Sequence, residues 1–233
     1  MVKKLFAYGF VRHSLALISP DILQIILKAL TALVTAKILG PENLGFIAML
    51  GLIVSYGALF QAGITDGIGL KVPLLIGQKK YQEAEIYVNK GFGGVMTIVS
   101  SMAFIFLVAA FLVIDDDLVL FGIVANSICL LIFQVHQYYE AKARLFYNFR
   151  EVFYSQNILA ISQFIFTVTA TYYLGIIGVF ISILFIYIPS IIYLKFKKKE
   201  KVHFKWDFET NIELIKLGFP ILILGLIVTL FTT

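Results

Sequence analysis

Apolar residues arrive in this chain in blocks of about 20, and at about 1.5 Å of rise per residue a helix of that length crosses a hydrocarbon core about 30 Å thick. The blocks fall at 15–39, 45–61, 89–114, 118–139, 152–174, 176–194 and 212–231. Strands of a membrane barrel would be about half as long and apolar only at alternate positions. The expected fold is therefore all-α, a polytopic transmembrane helical bundle of about seven spanning helices. Composition agrees, because 60% of the residues are hydrophobic and only 14% charged, against about 25% charged in soluble domains. The longest loop, about 20 residues, is too short to bury a core of its own, so no soluble catalytic domain is expected.

The charges between the blocks report orientation. Segments 66–87, 140–151 and 195–211 carry Lys71, Lys79, Lys80, Lys142, Arg144, Arg150, Lys195, Lys197, Lys198, Lys199, Lys201 and Lys205. The alternate loops, 40–44, 115–117 and the turn at Gly175, carry no Lys or Arg. One-sided loading of this kind places the N-terminus in the cytoplasm. It also removes nucleic acid as a reading of the net charge of +5, since the basic residues sit in short loops rather than on one soluble face. The first apolar block is long, carries internal charge and lacks a small-residue cleavage site, so a cleaved signal peptide is not expected. Segment 69–87 mixes apolar and charged residues in the manner of an interfacial amphipathic helix. The one cysteine, Cys129, lies inside an apolar block and reads as a small core residue.

Ionisable groups inside spanning helices cost about 2.5–3.5 kcal/mol or more each and usually face a cavity or a partner helix. The first block is the exceptional one. At about 100° per residue, Asp21, Gln24, Lys28, Thr31 and Thr35 fall within an arc of roughly 80°, a polar stripe on a helix otherwise made of Leu, Ile, Ala and Val. Such a stripe is expected to line a water-filled or substrate-filled space, with Lys28 attracting an anionic group. The competing reading is structural, with Asp21 and Lys28 neutralising each other or another buried charge. Two turns, about 10 Å along the axis, separate them, too far for a direct ion pair. Lys37 is off the stripe and reads as a residue reaching for the headgroups. Gln156 and Gln163, one heptad apart, either face the same cavity or hydrogen-bond a neighbouring helix. Gly91, Gly93 and Gly94 read as close-packing positions, His136 as a satisfied interfacial histidine, and Asp115 to Asp117 as a solvated cap.

Enzyme chemistry finds little support. His13, His136 and His203 are scattered without metal-ligand spacing, and neither a nucleophile elbow nor a phosphate-cradling glycine loop is present. No metal or other cofactor is expected. With no nucleotide-binding motif, energy for transport is expected from an ion gradient or from the substrate's own gradient. Pro20 and Pro220 each stand about one turn inside an apolar block that follows a basic segment, a faint echo of the two-repeat construction of many transporters.

Three segments carry a family resemblance. Ala36-Lys37-Ile38-Leu39-Gly40-Pro41-Glu42-Asn43-Leu44-Gly45, Phe60-Gln61-Ala62-Gly63-Ile64-Thr65-Asp66-Gly67 and Leu214-Ile215-Lys216-Leu217-Gly218-Phe219-Pro220 resemble, in order, the first loop, the turn after helix two and the second-bundle entry of the polysaccharide (O-antigen, Wzx-type) flippases. These belong to the multidrug/oligosaccharidyl-lipid/polysaccharide exporter superfamily. The resemblance implies two six-helix bundles around a cationic cavity, with alternating access moving an undecaprenyl-diphosphate-linked sugar repeat outward across the bacterial cytoplasmic membrane. It implies Lys28 at the substrate's diphosphate or acidic sugars, a setting of polysaccharide and lipopolysaccharide export, and partnership with a polysaccharide polymerase and glycosyltransferases as well as with membrane lipids. On it, residues 1–194 form the first bundle, 195–211 a basic cytoplasmic linker and 212–233 the first helix of a second bundle, where this chain stops. A drug or cation antiporter of the same superfamily competes; it is expected to prefer acidic cavity residues, and no second clear intramembrane acid accompanies Asp21. A non-transporting scaffold or truncated fragment is the reading from a different class.

Overall fold

A computed structural model of the chain describes residues 2–57, 61–198 and 204–232, with side chains described over 22–55, 61–197 and 204–225. These residues form seven helices, α1 (Val2–Gly57), α2 (Ile64–Gly77), α3 (Tyr81–Val113), α4 (Asp117–Leu145), α5 (Phe149–Phe185), α6 (Ile188–Lys198) and α7 (Phe208–Thr232). No strand occurs among the described residues, as an all-α chain requires. Four described helical runs are long and apolar enough to cross a membrane: Ile22–Ser55, Tyr81–Val113, Asp117–Leu145 and Phe149–Lys197. The expected count of about seven treats the two longest runs as pairs and adds α7.

Both long runs are broken where the sequence provides a glycine. In α1 the helical path fails at Gly40, whose φ of 74° and ψ of 170° lie outside what other residues readily adopt. Pro41 explains the position: it disfavours helical geometry in the residue before it, yet its own fixed φ suits the first position of a new helix. Asn43 Nδ2 donates to the Leu39 carbonyl at 2.8 Å, serving an acceptor near the break. In α5 the break is at Gly175, with φ 60° and ψ −134°. There the chain turns back on itself. Ser182 Oγ donates to Thr167 Oγ1 at 3.3 Å, whereas residues 15 apart on a straight helix would stand about 22 Å apart. Gly178 packs against the backbone of Ala170 and Thr171, and Tyr193 donates to Glu151 at 2.6 Å. The arms on either side of Gly175 are thus an antiparallel hairpin, continued by α6 beyond a short turn at 186–187, just before Pro189, which lacks the donor a continuous helix would use.

The helices outrun the apolar blocks. α3 begins at Tyr81 and α4 continues to Leu145, which shrinks the expected loop 140–151 to a turn at 146–148. The physical reason lies in Glu140-Ala141-Lys142-Ala143-Arg144-Leu145, all strong helix formers, helped by an Arg144–Glu140 pair at 2.7 Å one turn apart. Much of the expected loop 66–87 is likewise helical. α2 buries Ile64, Ile68, Val72, Leu75 and Ile76 while Leu70 and Leu74 stay exposed; the expected amphipathic segment 69–87 is not one helix, since α2 ends at Gly77 and residues from Tyr81 onward belong to α3.

The chain forms two compact units, one from the stretches Met1–Leu50 and Asp117–Glu200, the other from Gly51–Asp116 and Lys201–Thr233. In the first, α4 packs on both arms of the hairpin and on α6. Phe180 is met edge-on by Phe46 and Phe121, each at 6.2 Å between centroids, and Gly122 admits the Leu50 side chain. In the second, α7 lies against α2 and α3 through glycines. A Cβ on Gly218 would meet the Gly63 carbonyl oxygen and lie 2.5 Å from the Gly67 nitrogen. Gly91 faces Ile68 and Leu214, Gly93 the Lys205 backbone and Gly94 the Asn211 side chain. Close approach of helix backbones over small residues is how membrane helices gain contact when the surrounding medium is as apolar as their own side chains.

Candidate functional site

The polar stripe of α1 is partly buried and partly open. Ile22, Ile25, Ile26, Leu30 and Leu33 are exposed, whereas Thr31 and Thr35 are buried. This inversion of the usual order suits a helix whose outer face meets lipid. Thr31 Oγ1 donates to the Leu27 carbonyl at 2.7 Å and Thr35 Oγ1 to that of Thr31 at 2.7 Å. Both hydroxyl protons are therefore spent on the helix itself, and what the threonines offer outward is acceptor lone pairs. Lys28 is exposed and donates to Gln24 Oε1 at 3.2 Å. Asp21 falls outside the described side chains. The structure brings Gln24 to Lys28 and buries Thr31 with Thr35; Gln156 and Gln163 stand on α5.

A second constellation, at the junction of α4, α5 and α6, lies in the same unit. Glu140, buried on α4, accepts at its Oε1 from Arg144 at 2.7 Å and from Gln156 Nε2 at 3.0 Å. Gln156 thus bonds a neighbouring helix, and Gln163, half-buried, sits two turns further along. His136, one turn before Glu140 and 1% exposed, meets Ser190 Oγ at 2.9 Å through Nε2. Ser190 in turn lies 2.6 Å from Ser155 Oγ and donates to the Ser155 carbonyl at 3.1 Å. The His136 Nδ1 and Glu140 Oε2 atoms face each other at 3.8 Å. Sequence reasoning placed Glu140 in a loop and passed over both serines. The signal available was the i, i+4 spacing of His136, Glu140 and Arg144, which puts all three on one helix face.

The second unit carries a polar clasp. Glu213 of α7 accepts from Lys71 of α2 at 2.6 Å and from Tyr87 of α3 at 2.7 Å, with the Lys71 ammonium 5.1 Å above the Tyr87 ring. The bond to Glu213 holds Lys71 above the ordinary lysine range. Asp207, ahead of α7, takes Lys90 at 2.8 Å and a hydrogen bond from the Thr210 hydroxyl. The Lys90 bond, seconded by Thr210, holds its carboxyl down to about 2. A carboxyl whose folded value lies below its unfolded value of about 3.9 stabilises above that unfolded value and loses the contribution as pH falls through the folded one. The melting temperature of the wild type in detergent should therefore exceed that of Asp207→Asn by a constant margin above about pH 4. The margin should close by about pH 2; one that is the same at both ends would show that Asp207 adds nothing through its charge.

A shallow groove of about 420 Å³ runs beside α3, lined by Thr97, Ser100, Ser101, Phe204 and Trp206. Thr97 and Ser101 already donate to their own helix carbonyls, so at these two positions the groove offers lone pairs rather than donors.

No family model matches the sequence and no curated protein matches it. Among solved structures the chain is similar to the outward-facing conformation of a multidrug resistance MATE family transporter of the MOP superfamily. The TM-score is 0.64 and the identity 13%, over 91% of this chain and 52% of that one. At that identity the likeness is one of fold, and the chain spans about half the length of that transporter. Fold and apolar helices together define a multi-pass α-helical membrane protein with the fold of a superfamily transporter.

Proposed function

We propose that this chain is part of a flippase that carries lipid-linked oligosaccharide repeat units across the bacterial cytoplasmic membrane by alternating access. The observation that carries the reading is Lys28, exposed and hydrogen-bonded to Gln24 on a helix otherwise apolar outside its polar stripe. A cation at that depth is costly unless it meets water or an anion, and a diphosphate-linked sugar is such an anion. On this reading residues 1–194 form the first bundle, 195–211 the cytoplasmic linker and 212–233 the opening helix of a second bundle. The N-terminus is cytoplasmic, and the polymerase and glycosyltransferases of the same polysaccharide are functional neighbours.

The drug or cation antiporter gains from two observations. The described neighbour is a multidrug transporter, and Glu140 and Glu213 are further acids on apolar helices. Both acids already hold partners, Arg144 with Gln156 and Lys71 with Tyr87, which leaves Lys28 as the sharper pointer. The test is made in cells whose surface polysaccharide depends on the complete gene. Lys28→Ala should lower polymer export about tenfold or more, the worth of one charge-assisted contact, at unchanged protein level, with Lys28→Arg retaining most of it. Export unchanged in Lys28→Ala, or loss of drug tolerance in its place, would sink the flippase reading.

A further inference from the structure

The junction of α4 with the hairpin holds a set of hydrogen bonds whose directions hang on one proton. Ser190 has one hydroxyl hydrogen and three neighbours, the Ser155 carbonyl at 3.1 Å, Ser155 Oγ at 2.6 Å and His136 Nε2 at 2.9 Å. The carbonyl can only accept, so the arrangement that makes all three bonds has Ser190 donating to it and accepting from Ser155 Oγ and from His136 Nε2. In that arrangement the neutral imidazole is the Nε2–H tautomer and its Nδ1 a bare lone pair. That nitrogen is fully buried and has no hydrogen-bond partner. It stands 3.8 Å from Glu140 Oε2, while Oε1 takes the bonds from Arg144 and Gln156. Two acceptors then face each other in a buried site, which marks a missing hydrogen.

We propose that His136 Nδ1 and Glu140 Oε2, one turn apart on α4 where it packs on α5 and α6, form a proton-binding site. One proton taken from water bonds to Nδ1, the imidazolium donates to Oε2, and the 3.8 Å gap closes to the roughly 2.8 Å of a charge-assisted bond. Because His136 is tied to Ser190 of α6 and Glu140 to Gln156 of α5, closing that gap draws those two helices toward each other across α4. The titratable and charged groups around the imidazole are few. From α4 these are Glu140 and the Arg144 bound to it; from the turn before α6, Tyr187, whose ring lies 5.4 Å from the imidazole. From α5 they are the uncharged Ser155 and Gln156, the acid Glu151 being held by Tyr193.

The experiment follows the imidazole nitrogens of the whole chain, labelled with nitrogen-15 at histidine and held in lipid nanodiscs, from about pH 9 to about pH 4. The chain has three histidines, and His13→Gln and His203→Gln, by removing the other two signals, identify that of His136. At high pH His136 should show the Nε2–H tautomer, and on acidification it should become cationic. Glu140→Gln should lower its midpoint by about one pH unit or more, the shift expected of a carboxylate within about 4 Å. Arg144→Gln, which removes a competing cation from a half-exposed position, should raise it, and His13 and His203 should not follow either change. An Nδ1–H tautomer at high pH, a His136 that keeps one state across the range, or a midpoint indifferent to both variants overturns the site. The tautomer is read in the wild type, so the proposal is decided even if a variant fails to fold. It is decided separately from any question of cargo, because no transport is measured.

Discussion

Gly218→Leu should detach α7 from α2 and lower stability by about 3 kcal/mol or more, at the upper end of what overpacking costs. The atoms in the way are backbone: the Gly63 carbonyl oxygen and, at 2.5 Å, the Gly67 nitrogen. Neither can rotate aside as a side chain would, and the two are themselves joined by a 2.9 Å bond from Gly67 to Gly63. Displacing α7 also lengthens the Glu213 bonds to Lys71 and Tyr87, so loss of contact and loss of pairing arrive together. Gly69→Leu is the control, since a Cβ there meets nothing within 4 Å. Unfolding in detergent, followed by heat or by protease susceptibility near 208–225, should separate the two variants clearly. Equal stability would mean that α7 can find another seat.

Gly175→Val tests backbone strain without crowding. No atom lies within 4 Å of a Cβ at this position, yet φ of 60° with ψ of −134° is open to glycine and closed to a β-branched residue. The expected loss is about 2–3 kcal/mol, the upper part of the range for one strained residue. Its structural trace should be a wider separation of Thr167 from Ser182, read by spin labels placed at those two positions. A loss below about 0.5 kcal/mol would mean that the hairpin can turn at another residue.

Both glycine breaks were legible because local chemistry decides them. Gly40 stands before a proline, and Gly175 divides an apolar run too long for one crossing. The apolar periodicity of 69–77 was legible for a similar reason, being local, but the turn at 78–80 that ends α2 was not. What escaped were pairings made by the fold. Lys71 and Glu213 are 142 residues apart, and Ser155 and Ser190 are 35 apart; neither serine stands out among the hydroxyl residues of an apolar helix. Glu140 escaped because hydropathy falls at Tyr139 while helix propensity does not, and hydropathy was the guide. Glu213 could have been found. An acid within an apolar block has to be paired or solvated, and Lys71 was among the few cations available to answer it. The stripe on α1 was visible from spacing alone, but burial of its threonines against exposure of its lysine needed the folded chain.

The hairpin at Gly175 also bears on how this part of the chain enters the bilayer. Its tip, Tyr172-Tyr173-Leu174-Gly175-Ile176-Ile177, holds no charged group, and Tyr172 and Tyr173 present exposed rings. The charged residues of the two arms, Arg150 and Glu151 on one and Lys195, Lys197 and Lys198 on the other, stand at the open end. A pair of arms built this way can insert as a unit with its mouth left where it began. Nothing ionised has to cross the hydrocarbon, so the barrier of about 2.5–3.5 kcal/mol per charge is avoided on the way in, and the tyrosines arrive at the far headgroups as an anchor for the completed loop.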